Sequence, residues 1–204
     1  MNRSVALLFG PLGAAIFCIG VPLLAAMVPG YSHVHQTVSE IGALDTPLRV
    51  PFAIMIGSMA VCMWVFAWGV AGASAKAGRN RFAAWLIVCM GISAMGIAVF
   101  ATPHPLHNDF GLSEIVGYQA PLAFALAWRK APRAGTLVAV SWVFFVLLWI
   151  SMGLNMSGLS PDSGLALAVK PVYGLVQRSL FLVWFGWCAV MGVLLWRREH
   201  GPAK

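Results

Sequence analysis

The chain has 204 residues, 60% of them hydrophobic and only 9% charged, with 13 Lys and Arg against 6 Asp and Glu and a formal net charge of +7. A mean hydropathy of +0.85 excludes an ordinary soluble domain, which needs more polar surface to stay dispersed. The positive excess does not mark a nucleic-acid binder, because the basic residues sit in short loops beside apolar runs rather than among aromatics on a polar face.

Crossing about 30 Å of hydrocarbon takes roughly 20 apolar residues. Arg3 precedes the first such run, 5–28. It is longer than a signal-peptide core and no small-residue cleavage site follows it, so it reads as an uncleaved helix. Pro29 and Gly30 end it. The next segment, 29–49, carries His33, His35, Glu40 and Asp45. Within it, Ser39 is placed to N-cap a short amphipathic turn whose apolar edge is Ile41 and Leu44. Pro47 and Pro51 open the second run, 50–74, and Lys76, Arg79 and Arg81 join it to the third, 82–101. Pro103 and Pro105 stop the third, and 102–109 carries His104, His107 and Asp109. The fourth run, 110–128, contains Glu114; Arg129, Lys130 and Arg133 lead to the fifth, 134–155. Segment 156–171 holds Asp162 and Lys170 and reads as a solvated turn. The sixth run, 172–196, contains Arg178, and Arg197, Arg198 and Lys204 follow it.

These runs predict an all-α, polytopic six-helix transmembrane bundle, one domain over 1–204. Ten of the 13 Lys and Arg fall on one side of it. By the positive-inside rule that side is cytoplasmic and holds both termini, in a cell inner membrane. Five of the six carboxylates and four of the five histidines fall on the other, periplasmic or exterior, side. Cys18, Cys62, Cys89 and Cys188 lie within the runs with no C-x-x-C spacing and read as packing thiols. Trp149 and Trp184 lie deeper than the other tryptophans and are expected to pack inside the bundle.

Two constellations on the acidic side carry chemistry. His104, His107 and Asp109, with His33 and His35 from the preceding outer segment, offer imidazole and carboxylate, the usual ligands of a divalent metal such as zinc. Glu40 and Glu114 are the candidate catalytic bases toward metal-bound water. The alternative is two surface loops whose histidines bind nothing, since no standard zinc spacing is present. Arg178 lies about two turns inside its helix, where an unpaired arginine costs about 3 kcal/mol. Its expected partner is Glu114, with Gln177, Tyr118, Gln119 and Tyr173 completing a polar network. Such a pair serves either to bind an anionic group through Arg178, Gln177 and Tyr118 or to lock two helices together.

The six-helix layout, Ser39-Glu40-Ile41-Gly42-Ala43 after a polar segment, Pro103-His104 after the third run and Gln177-Arg178 near the outer end of the sixth resemble an uncharacterised family of bacterial and archaeal membrane proteins, domain of unknown function 998. That resemblance implies a fold and a membrane location, and no activity. Three functions are compatible with the residues: a metal-dependent enzyme acting on a lipid or lipid-linked substrate, a protein that binds or transports a lipid headgroup or small anion, and a membrane accessory or assembly protein. Membrane lipids are the expected partners. Ionisable groups are absent from the first, second, third and fifth runs, which weighs against proton-coupled transport.

Overall fold

The computed structural model describes residues 2–201, so Lys204 lies outside the described residues. Those residues form nine α-helices and three short 3-10 segments. The first apolar run forms α1 (Arg3–Ala6) and α2 (Phe9–Ala25). The break falls where Pro11, which has no N–H, cannot bond the Leu7 carbonyl four residues back. The second and third runs are single helices, α3 (Arg49–Lys76) and α4 (Phe82–Val99).

The fourth run is not one helix. It is α5 (Pro105–Gly117) followed by α6 (Ala120–Trp128), interrupted at Tyr118 and Gln119. Pro121 explains the interruption, since it has no N–H for the carbonyl of Gly117. The fifth run forms α7 (Gly135–Met156). The segment read as a simple turn contains a short helix, α8 (Gly164–Val169), and passes through a 3-10 turn into α9 (Tyr173–His200). Five helical stretches are long and apolar enough to cross a membrane: Arg3–Ala25, Arg49–Lys76, Phe82–Val99, Gly135–Leu159 and Gly164–His200. The broken pair α5 and α6 is not among them.

The helices close into a ring in chain order. α2 packs on α3, α3 on α4, α4 on α5 and α6, α6 on α7, α7 on α9, and α9 returns to α2. Between apolar helices in lipid, association depends on close packing rather than on expulsion of water. The α9–α2 seam shows how this is met. A Cβ on Gly10 would strike the carbonyl of Cys188, and one on Gly192 would strike that of Leu7. Only glycine at both positions lets the two backbones touch.

Two buried indoles in the wall find partners: Trp187 donates to Ser141 Oγ at 3.2 Å, and Trp128 to Ser74 Oγ at 3.3 Å, whereas the buried Trp184 Nε1 has none among the described residues. Trp184 is buried as expected, but Trp149 is 45% exposed on the outer surface of α7. Of the four thiols, Cys62 and Cys188 are buried, while Cys18 is exposed on α2.

Charge sorts to the two ends. Arg79 donates to the Lys130 carbonyl, and Arg198 donates to those of Pro132 and Arg133, tying the basic loops together at one end. The opposite end carries three connections whose histidines and carboxylates are treated next.

Candidate functional site

The segment before α3 is folded down over the histidine-bearing end of the ring. Its 3-10 turn, Val38–Gly42, buries Val38 and Ile41 against the bundle, 3% and 0% exposed. Thr37, not Ser39, opens this turn. The Thr37 N–H and hydroxyl both donate to Glu40 Oε1, at 2.8 and 2.9 Å, while the Gln36 amide donates to Glu40 Oε2 at 3.0 Å. This is the reach-back half of a capping box, legible in Thr37-x-x-Glu40. Ser39 is thereby freed to donate to His107.

Glu40 is thus committed to holding the turn rather than free to act as a base. Burial alone pushes its carboxyl up, but the Thr37 N–H, the Gln36 amide, the Thr37 hydroxyl and the charge of Arg178 together hold it below the usual carboxylate range. A carboxylate with a lowered folded pKa stabilises above its unfolded value, about 4.3 for Glu, and loses that contribution as pH falls through the folded value. Protease cleavage within 29–48 is therefore expected to accelerate below about pH 4 in the wild type. Glu40→Gln should cleave faster at neutral pH and show no such acid step.

Arg178 latches the same segment. It is 8% exposed. Its Nη1 donates to the carbonyls of His33, Gln36 and Gly174, at 2.9, 2.8 and 2.8 Å. Its Nη2 donates to the Tyr31 hydroxyl, which in turn donates to the Thr37 carbonyl at 2.7 Å. The Tyr31 ring lies 5.6 Å from the guanidinium carbon. Gly174 makes this possible, because a Cβ there would fall on the Gln36 and His33 carbonyl oxygens. Beside Arg178, Gln177 Oε1 accepts from the Val38 N–H at 2.7 Å.

The expected Arg178–Glu114 pair is not formed. Glu114, 8% exposed on α5, instead accepts from the Tyr118 hydroxyl one turn below at 2.8 Å. Arginine finds a denser set of acceptors in loop carbonyls, which sequence spacing does not reveal.

The histidines do not converge either. His33 and His35 are exposed, and His35 Nδ1 donates to the Pro171 carbonyl at 2.7 Å. His104 caps α5, its Nδ1 accepting from the Leu106 N–H at 3.2 Å. His107 Nδ1 donates to the Phe100 carbonyl at 2.7 Å, and its Nε2 accepts from Ser39 at 3.0 Å. Asp109 is exposed one turn into α5. Among the described residues no three His, Cys, Asp or Glu side chains come close enough to share a metal ion. Of the set His33, His35, His104, His107 and Asp109, His104 caps α5, His35 and His107 tie loop carbonyls, and the members do not gather at one point.

What the end of the ring does contain is a cleft of about 550 Å³ between α5 on one side and α7 and α9 on the other. That is within the roughly 300–1,000 Å³ of small-molecule sites. Asp109, Asn108, His107, Asn155, Tyr173 and Gln177 give it a polar mouth. Leu112, Ile115, Met152, Leu180 and Phe181 give it apolar walls. At its floor Ser39, Glu114 and Tyr118 also border a second cavity, about 60 Å³, inside the ring. That cavity is lined by Met59, Met63, Met90, Phe181, Trp184 and Phe185. Asn155 was unselectable from the sequence. It comes to the mouth because its Nδ2 donates to the Ser151 and Val176 carbonyls, bridging α7 to α9.

No curated protein and no solved structure matches the chain. A family described as a protein of unknown function matches it over residues 11–194, nearly its whole length and most or all of every helix in the ring. The apolar ring and the carbonyl-latched segment above it are therefore the architecture of a member of the DUF998 family, to which this chain belongs.

Proposed function

We propose that the chain is a multi-pass inner-membrane protein, with both termini cytoplasmic, that takes an amphiphilic lipid or lipid-linked molecule from the outer side into the cleft between α5 and α9. The observation that carries this reading is a cleft with a polar mouth and apolar walls that shares Ser39, Ile97, Glu114, Tyr118 and Phe181 with an apolar cavity inside the ring. A molecule with a polar head and an apolar chain satisfies the mouth and the walls of the cleft at once, whereas water or a small ion leaves the apolar walls unsatisfied. The clustering of Lys and Arg at the opposite end supports the orientation. The proximity of the Leu7 carbonyl to Gly192 puts the first and last spans side by side at that end, which supports α5 and α6 as a sixth, broken crossing. An interrupted helix at membrane depth is tolerated where it lines a cavity, and this one does. The reading requires binding and no metal chemistry.

Gly111 supplies the test. It lines the cleft, and a Cβ there would meet nothing within 4 Å, so a large side chain fills the cleft without striking the wall behind it. Protein purified in mild detergent should carry lipid adducts in native mass spectrometry. Gly111→Trp should lose most of them at an unchanged melting temperature. Equal adducts in both proteins would overturn the reading.

A further inference from the structure

The chemistry of the cleft selects among amphiphiles. Among the described residues no Lys or Arg lines either the cleft or the cavity behind it. Arg178, the one cation deep in this half of the ring, is turned away into the carbonyls of 33, 36 and 174. The charged side chains that do line the space are both acidic, Asp109 at the mouth and Glu114 at the neck. An anionic headgroup entering here would lose its water and meet carboxylates, the least favourable exchange available to it.

Glu114 is the sharper of the two. Its carboxyl receives one hydrogen bond, from Tyr118 to Oε2, and makes no ion pair among the described residues. Its Oε1 is left without a protein donor, yet it is not among the atoms sealed from solvent without a partner. It therefore borders open space at the junction of cleft and cavity. Trp184, 1% exposed in the cavity wall, packs edge-on against the Tyr118 ring at 5.7 Å and so braces the side chain that holds Oε2. A carboxylate with one open oxygen in a space that no described Lys or Arg lines is the chemistry that receives an ammonium, because the charges pair and an N–H donates to the free oxygen.

The geometry points to a long-chain amine as the occupant, its protonated amino group on Glu114 and its chain against the apolar walls. This rests on the cleft reading and adds the headgroup class to it. The source is open between a free alkylamine and an amine-bearing lipid, and the shared chemistry is the ammonium on an apolar chain.

Dodecylamine, dodecanol and dodecyl phosphate, each added to the purified protein at equal concentration and scored by native mass spectrometry, test it. Dodecylamine should exceed dodecanol by about tenfold, the scale of one charge-assisted hydrogen bond, and dodecyl phosphate should bind least. Glu114→Gln keeps the shape and the acceptor for Tyr118; it should bring the amine down to the level of the alcohol and leave the alcohol unchanged. Binding of dodecyl phosphate equal to or above that of the amine in the wild type overturns the assignment, with no variant needed. So does an amine preference that survives in Glu114→Gln. Failure of the cleft reading itself looks different: Gly111→Trp would then leave all three ligands bound as in the wild type. An ethanolamine-headed and a choline-headed lipid, added in a second series, separate a lipid source from a free amine.

Discussion

Arg178→Ala is expected to release residues 29–48 from the bundle and to lower stability by about 3 kcal/mol, because it strips donors from two loop carbonyls and from a tyrosine hydroxyl at roughly 1–3 kcal/mol each. The measurement is thermal unfolding in detergent together with the rate of protease cleavage within that segment. Arg178→Lys should recover only part of the loss. An ammonium is a compact point charge, whereas the guanidinium fork spans the carbonyls of His33 and Gln36 on one nitrogen and Tyr31 on the other. The same variant separates a latch from an anion receptor. Thr37 and Ser39 line the cleft and belong to the latched segment, so unlatching changes the cleft for every ligand. Arg178→Ala should therefore weaken dodecylamine and dodecanol together, whereas an anion-binding arginine would lose dodecyl phosphate alone. Unchanged protection of 29–48 would refute the latch.

The helices long and apolar enough to cross a membrane were readable because hydrocarbon thickness imposes a length, and length and apolarity are written locally. Runs 50–74 and 82–101 became α3 and α4 nearly as bounded. Run 110–128 is not one helix for a local reason as well: hydropathy averages over Pro121, but the backbone does not, and the missing N–H splits the run into α5 and α6. That split has a consequence for the site. It leaves Tyr118 at the end of α5, four residues after Glu114, the ordinary helical spacing at which its hydroxyl reaches the carboxyl.

The site was far less legible. Residue types on the acidic side suggested convergence, but whether side chains converge depends on backbone acceptors, which every residue supplies and no sequence pattern marks. His35, His107 and Arg178 all turn to carbonyls rather than to one another or to Glu114. The one local signal that was present, Thr37-x-x-Glu40, announces a capping box and would have moved Glu40 from catalyst to scaffold. The cleft itself is formed by α5, α7 and α9, elements that other segments separate in the chain, and the absence of Lys and Arg from its lining among the described residues becomes visible only once Arg178 is seen to face elsewhere.

Gly174→Val should act on the same latch from the opposite side. A Cβ at 174 falls on the carbonyl oxygens of Gln36 and His33, which are the acceptors of Arg178. Overpacking of this kind costs about 1–3 kcal/mol, and the upper part of that range applies because the obstacle is backbone rather than a flexible side chain. Relief comes by lifting the segment, which breaks the hydrogen bonds that Arg178 makes. Once the segment is lifted, removing Arg178 has little left to break. The double variant Gly174→Val with Arg178→Ala should therefore unfold close to the worse of the two single variants, with a coupling energy near the smaller single effect; residues with independent roles would add. Gly174→Ala places the same first carbon without the branch and should fall between wild type and Gly174→Val. Additive losses in the double variant would mean that glycine and arginine stabilise α9 separately. Coupled losses, with faster cleavage at 29–48 in each single variant, would identify Gly174 and Arg178 as two halves of one device: the glycine admits the loop backbone to α9, and the arginine holds it there.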